Sequence, residues 1–147
     1  MIRSKSAFRA VRESVGMTQA ALAAELGVQV RSIKRWESPE APQEPPADAW
    51  EVLQRAYRDQ LEIIQFALAK ARELDAELPD GAERTVALPY WPDAETYGRH
   101  STDSRLGVAG DWRMANASVR AAAVLLRDRG YLVEFVNPGT YRFGSKI

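Results

Sequence analysis

Five polar or basic side chains lie within the seven residues from 29 to 35 and are the first candidates for chemistry. They are Gln29, Arg31, Ser32, Lys34 and Arg35. An arginine guanidinium can donate two hydrogen bonds to O6 and N7 of guanine, and a lysine ammonium attracts phosphate as a compact charge. The cluster therefore favours recognition of a nucleic acid.

A second group of candidate residues surrounds the only histidine, His100. Side chains near it that a hydrolytic or metal site could use are Asp93, Glu95, Ser101 and Asp103. Nothing in their spacing fixes them relative to one another, and no nucleophile elbow accompanies them. A lone histidine in a glycine-bearing loop is more often a solvated residue. We therefore expect no catalytic residue, no metal site and no cofactor.

Charge is distributed unevenly along a chain whose net charge is zero. Residues 1–37 carry seven Lys/Arg against three Asp/Glu, residues 38–83 carry four against eleven, and residues 84–147 carry nine against six. An acidic middle segment is repelled by phosphates and leaves the basic N-terminal part to meet them. The asymmetry supports nucleic-acid binding without being specific to it.

Length and composition limit the class of protein. A chain of 147 residues can hold one ordinary domain, or a small domain with a second small unit. It contains no cysteine, no apolar run long enough to span a membrane, and no apolar block of a secretory signal near Met1. We expect a globular cytoplasmic protein.

Three short helices are predicted to position the cluster. Apolar residues at helical spacing come before Gly16, which breaks the first helix. Thr18 is a good N-cap for a second helix over residues 19–26, and Gly27 ends that helix. A third helix over residues 30–37 follows after two more residues and carries most of the cluster.

A proline-rich linker and a long helix are predicted next. Four prolines within residues 38–46 are incompatible with regular structure, so residues 39–47 form a stiff linker before a helix over residues 48–79. Apolar residues recur every seven positions in this helix, with two more between them: Trp50, Tyr57, Ile64, Ala71 and Leu78, then Leu61 and Leu68. The repeat fits a seam against a second chain or a face packed on its own chain.

The remainder, residues 80–147, is predicted to be a small β-α-β-β unit. The pattern gives a strand over residues 85–91, a loop over 92–110, a helix over 112–129, a strand over 131–136 and a last strand over 140–143. The fold class is therefore α+β, with an all-α N-terminal part, a long linking helix and this C-terminal unit.

Residues 18–37, TQAALAAELGVQVRSIKRWE, resemble the Cro/repressor (XRE-like) helix-turn-helix family. Ala23 is small where the two helices cross, and Gly27 occupies the turn. Apolar residues that would lock the helices together are Leu22, Leu26, Ile33 and Trp36. The alternative is a set of three closely spaced helices with an Ala/Leu stripe. The resemblance implies a helix-turn-helix DNA-binding domain within residues 1–38.

By this resemblance the third helix enters the major groove with its N-terminal part facing the bases. The positions that match base readers are Val30, Arg31, Ser32 and Arg35, with Gln29 on the same DNA-facing surface. Gln19 and Lys34 match phosphate contacts. A solvated surface residue is the alternative at each position.

The resemblance also implies a structural ion pair between Arg12 and Glu37, which ties the first helix to the end of the third. An exposed, unpaired Glu37 is the alternative. The sequence departs from the family after this residue. Relatives often continue with Asn-Gly-Lys, which touches phosphate, whereas this chain continues with Ser38-Pro39-Glu40. Pro39 has no N–H and Glu40 repels phosphate, which puts that contact in doubt.

Over most of its length the chain resembles YdiL-like proteins and anti-CRISPR-associated autorepressors. The likeness rests on residues 35–38, 88–91, 112–113 and 117–119. It implies a C-terminal dimerisation domain and repression of the protein's own operon by a homodimer on an inverted repeat of double-stranded DNA. The alternatives are an antitoxin that covers a toxin protein, and a regulator that also binds RNA through Trp112, Arg113, Arg120, Arg127 and Tyr131.

Overall fold

The computed structural model describes residues 2–101 and 111–140. The chain divides into two compact units, residues 1–59 and residues 60–147. The α+β class predicted from the sequence is confirmed: short N-terminal helices are followed by a long helix and then by a smaller region of strands and helices.

The first unit begins with three short helices, α1 (Lys5–Ser14), α2 (Gln19–Leu26) and α3 (Val30–Glu37). The bounds of α2 and α3 agree with the prediction because the local stop and start signals act as expected. The Thr18 hydroxyl accepts a hydrogen bond from the backbone N–H of Ala21 at 3.0 Å and caps α2. Gly27 ends the helix in the left-handed conformation, at φ 65°.

The core of the first unit forms where these helices meet the start of the fourth, α4 (Ala47–Glu77). Phe8, Leu22 and Ile33 are fully buried, one from each short helix. The Phe8 ring packs edge-on against Trp36 and Trp50, with centroid distances of 6.3 and 5.2 Å. Burying each such side chain stabilises the fold by roughly 1.5–3 kcal/mol, so α3 is anchored firmly through its inner face.

Helix α4 has 31 residues, which corresponds to a length of about 46 Å. It begins one residue earlier and ends two residues earlier than predicted. The seven-residue repeat does not form one continuous exposed seam. Trp50, Ile64 and Ala71 are buried within their own chain, whereas Tyr57 and Leu78 are 37% and 39% exposed. Packing on the same chain therefore accounts for three of the five residues in the repeat.

The second unit contains strand β1 (Thr85–Pro89), helices α5 (Ala94–His100) and α6 (Trp112–Asp128), and strand β2 (Leu132–Val136). The two strands pair in parallel, from Thr85 opposite Leu132 to Pro89 opposite Val136. Their parallel direction follows from the intervening helices, which form the crossover that parallel strands require. The described part of this unit is thus β-α-α-β.

Two predictions for the second unit need correction. Residues 92–110 are not all loop, because α5 occupies part of them; Asp93 caps this helix by accepting from the Thr96 N–H at 2.7 Å. The first strand, expected over residues 85–91 with an edge or a strand end at Pro89, ends at Pro89. The predicted last strand over 140–143 begins at Thr140, which lies in a turn, and its other residues lie outside those described.

The core of the second unit lies between α6, the sheet and the later turns of α4. Its buried members are Ala71, Val86, Leu88, Val119, Ala123, Leu126 and Tyr131. Asn116 fixes the chain after β1, since its side-chain amide both accepts from the Trp91 N–H and donates to the Trp91 carbonyl, each at 2.8 Å. Within the described residues, no helix is both long and apolar enough to cross a membrane.

Candidate nucleic-acid interface

Helix α3 presents the predicted cluster on the outside of the first unit. Arg31, Lys34 and Arg35 are exposed, while Ile33 on the opposite side is fully buried. Of the remaining predicted residues on this helix and its N-cap, Gln29 is exposed, and Val30 and Ser32 are half-buried. The Arg31 Nη2 atom lies 3.5 Å from Gln29 Oε1, a distance too long to hold either side chain firmly. Both can therefore turn toward a ligand.

A buried ion pair fixes the orientation of this helix. Arg12 donates from Nε to Glu37 Oε1 at 2.5 Å and from Nη2 to Oε2 at 3.0 Å. The two side chains are only 9% and 6% exposed. The third guanidinium nitrogen, Nη1, donates to the Met17 carbonyl at 2.8 Å. The pair thus links α1, the turn before α2 and the last turn of α3.

Gln19 belongs to the same network. Its Nε2 atom donates to Glu37 Oε2 at 2.9 Å, so the carboxylate receives hydrogen bonds from two helices besides its own. The sequence predicts Gln19 as a phosphate contact. A side-chain amide has two N–H groups, and a phosphate would have to use the one that Glu37 does not occupy.

A cleft of about 630 Å³ opens beside this network at the N-terminal end of α2. Its cationic walls include Arg9 and Lys34, and its floor includes Thr18 and Gln19. Unpaired backbone N–H groups and the positive end of the helix dipole favour an anion at such a position. The Glu37 carboxylate also lines the cleft and Arg9 is paired with Glu13, so Lys34 and the helix end are the features that would favour a phosphate here.

Lys5 is a positioning residue that the sequence analysis missed. Its ammonium nitrogen donates to the carbonyl oxygens of Arg35, Ser38 and Ala41 at 3.1, 2.9 and 2.5 Å. A cation at this end complements the negative end of the α3 dipole and holds the chain that leaves the helix. Its acceptors lie 30 to 36 residues away, so no local pattern could have revealed them.

The segment after Glu37 offers little to phosphate. The Ser38 N–H already donates to the Lys34 carbonyl at 3.0 Å, and Pro39 has no N–H. Glu40 is exposed, and its carboxylate lies 3.4 Å from the Ser38 hydroxyl. These contacts agree with the expectation that Ser38-Pro39-Glu40 does not make the phosphate contact that Asn-Gly-Lys makes in relatives.

The residues considered for catalysis have structural roles or stand apart. The Thr96 backbone N–H lowers the pKa of the Asp93 carboxyl below its usual value by hydrogen bonding to the carboxylate. Glu95 forms an exposed ion pair with Arg99, and His100 is exposed at the end of α5. Asp103 lies outside the described residues. In the part of the chain that the structure describes, no three metal-binding side chains cluster together.

The residues considered for RNA binding do not all lie on one surface, because Tyr131 is a core residue whereas Arg120 and Arg127 line an exposed groove. Tyr131 is 6% exposed and belongs to the core, where the Arg84 guanidinium stacks on its ring at 4.0 Å. Trp112 is half-buried, and the Arg113 guanidinium lies 4.5 Å from its ring centroid. Stacking of bases requires exposed aromatic faces, and Tyr131 does not present one.

Comparison with known proteins identifies the first unit. Residues 8–45 match the family model described as Helix-turn-helix, of the Cro/C1 type. No curated protein matches the chain. The matched residues include the buried Arg12–Glu37 pair, the Gly27 turn and the exposed basic side of α3. Residues 8–45 of this chain are therefore a helix-turn-helix domain, the DNA-binding domain of a transcription regulator.

Proposed function

We propose that this protein is a cytoplasmic sequence-specific transcriptional repressor that binds an inverted repeat as a homodimer and regulates its own operon. One observation carries the proposal. Helix α3 exposes Arg31, Lys34 and Arg35 on a helix that a buried ion pair holds in place. Exposed cations on an immobilised helix suit base readout, because positioning is completed before the DNA arrives.

Base reading is assigned to the first part of α3 in this proposal. Arg31 and Arg35 are one helical turn apart, so they project from the same side. Each can donate two hydrogen bonds to a guanine, and Val30 can contact a thymine methyl group. Ser32 and Gln29 supply shorter polar contacts at the helix start.

Phosphate contacts are assigned to the cleft at the start of α2. Lys34 and Gln19 both line this cleft, and the Gln19 amide has a second N–H besides the one it donates to Glu37. Phosphate contacts position a protein on the duplex without reading its sequence. Arg31 and Lys34 therefore have different roles although they are only three residues apart.

Dimerisation is proposed because one recognition helix contacts too few bases for useful specificity. A two-fold dimer would read two half-sites about one helical turn, ~34 Å, apart. The second unit offers apolar surface for such an interface. Its exposed large apolar side chains outside the α6 groove include Leu61, Leu74, Leu78 and Leu132.

Autoregulation is supported by the resemblance of residues 35–38, 88–91, 112–113 and 117–119 to autorepressors. The deciding experiment is nuclease footprinting of the protein on the DNA upstream of its own gene. We expect a protected inverted repeat whose protection is lost in an Arg31→Ala/Arg35→Ala variant. Equal affinity for the upstream DNA and for a scrambled duplex of the same length would contradict the proposal.

A further inference from the structure

The second unit carries a groove on the exposed side of α6 that the DNA-binding proposal leaves unused. It has a volume of about 360 Å³ and is lined by Tyr90, Arg120, Val124, Arg127 and Phe135. Pockets that hold small molecules usually measure about 300–1,000 Å³, so the groove lies at the lower end of that range.

Part of the groove is lined by two packed aromatic rings and an apolar side chain, Val124. The Tyr90 and Phe135 rings pack edge-on, with their centroids 5.4 Å apart. Val124 is 64% exposed and Phe135 is 40% exposed, although both are large apolar residues. Contiguous apolar side chains that stay open to solvent mark a binding surface more often than a chance exposure.

Two cations flank this apolar surface. Arg120, Val124 and Arg127 stand at positions i, i+4 and i+7 of α6, so they share one side of the helix. Arg120 Nη1 donates to the Tyr90 hydroxyl at 2.8 Å, and the Arg127 guanidinium lies 5.4 Å from the Phe135 ring centroid. Within residues 2–101 and 111–140, no carboxylate lines the groove or pairs with either guanidinium.

We infer that this groove binds a small organic anion with an apolar, preferably aromatic, body and a carboxylate or similar end group. The apolar body would lie on Val124 and Phe135, and the anionic end would accept hydrogen bonds from the guanidinium groups. The inference goes beyond the proposed function and does not depend on DNA binding.

Other occupants fit these charges less well. A second copy of the chain, placed with its groove against this one by a two-fold axis, would bring four guanidinium groups together without a carboxylate among them. A nucleic-acid strand requires a track of several cations and successive stacking faces, whereas this site has two cations and two aromatic rings that pack edge-on against each other. An amphipathic anion satisfies both the apolar surface and the charge.

The test uses 2-naphthoate as the probe and isothermal titration calorimetry on the full-length protein at low salt. We expect one binding site per chain, and much weaker binding of 2-naphthylmethanol, which has the same ring system without the charge. Equal binding of the neutral alcohol, or no heat of binding with millimolar naphthoate, would overturn the inference.

Matched variants locate the site. Val124→Glu places a carboxylate between the two arginines at an exposed position, so it should abolish binding without disturbing the core. Leu125→Glu, also on the exposed surface of α6 but outside the groove, is its control and should bind as the wild type does.

Arg127→Gln should weaken binding about tenfold, as loss of a charged hydrogen bond does. Arg113→Gln on the same helix should have no effect, and unaltered binding by Val124→Glu would refute the assignment.

Discussion

Arg12 and Glu37 are 25 residues apart in the sequence but form a doubly hydrogen-bonded ion pair with less than a tenth of either side chain exposed. Every nitrogen of the guanidinium has an acceptor, because Nη1 donates to the Met17 carbonyl. Removing one partner of such a buried pair destabilises the folded protein strongly, because the remaining charge stays buried without its counter-charge. The position of α3 therefore depends on a partner, Arg12, that lies in α1.

The first prediction concerns this pair. Glu37→Ala leaves the Arg12 charge buried without a partner and should lower the free energy of unfolding by about 3 kcal/mol. Chemical denaturation measures the change. Glu73→Ala is the control, since Glu73 forms an exposed ion pair with Lys70 and its loss should leave the melting temperature nearly unchanged. Equal melting temperatures for Glu37→Ala and wild type would show that the pair contributes nothing.

The second prediction concerns Lys5. Lys5→Met keeps most of the alkyl chain but removes the donor to three carbonyl oxygens, so we expect a loss of about 1–3 kcal/mol in stability. Lys70→Met is the control, because the Lys70 ammonium makes an exposed ion pair with Glu73 and lies 5.7 Å from the Phe66 ring centroid but donates to no backbone carbonyl in the described residues. Amide hydrogen exchange should also quicken for residues 38–41 in Lys5→Met. Unchanged exchange there would mean that the lysine does not hold the segment.

The third prediction follows from the cap of α5. The Thr96 N–H lowers the pKa of Asp93, so the folded protein holds this carboxylate ionised to a lower pH than the unfolded chain does. Its contribution to stability is complete above the ordinary value of 3.8 and is lost as pH falls through the lowered pKa. A carboxyl titration by NMR should give Asp93 a pKa below 3.8. The amide signals of α5 should shift with pH through the same pKa in the wild type and should lose this pH dependence in Asp93→Asn. A value at or above 3.8 would exclude the cap in solution.

The fourth prediction separates base reading from phosphate contact. Arg31→Ala should cost about 1–3 kcal/mol on the true operator and relax the preference for guanine at one position of each half-site. Lys34→Ala should weaken binding to all sequences alike and lower the salt slope by about one per half-site. Competition with scrambled DNA at two salt concentrations measures both. Full affinity and specificity in Arg31→Ala would mean that α3 is oriented differently on DNA.

The fifth prediction concerns assembly. Sedimentation at micromolar concentration should show a homodimer, and the dimer should bind one inverted repeat. Shortening the spacer between half-sites by five base pairs rotates them to opposite sides of the duplex and should abolish tight binding. A monomer that stays monomeric on operator DNA would remove the dimer hypothesis.

Local signals explain why the first unit was predicted well. The Thr18 cap and the left-handed Gly27 each fix a helix end through atoms a few residues away, and both act as the sequence indicates. The seven-residue repeat of α4 was ambiguous because a face packed on its own chain and a seam against a second chain have nearly the same period. Only the structure shows that Trp50, Ile64 and Ala71 are used within the chain.

Long-range pairing was less accessible from the sequence. The three acceptors of Lys5 come from two different segments, and the parallel pairing of β1 with β2 joins residues 47 positions apart, as in Thr85 opposite Leu132. Helix α5 was missed because it has only seven residues, too few for a clear apolar period. Its Asp93 cap was the one available signal, and this residue was instead considered as an acid for catalysis.

The edge-on contact of Phe8 with Trp50 has a consequence for where the DNA-binding domain ends as a folding unit. The family match stops at residue 45, before α4 begins, yet Ala49, Trp50 and Leu53 are each buried in the first unit. A fragment cut at residue 45 would open Phe8 to water and lose the apolar wall that the start of α4 supplies. Autonomous folding thus requires at least the first two turns of α4, a helix that lies beyond the residues matched by the family model.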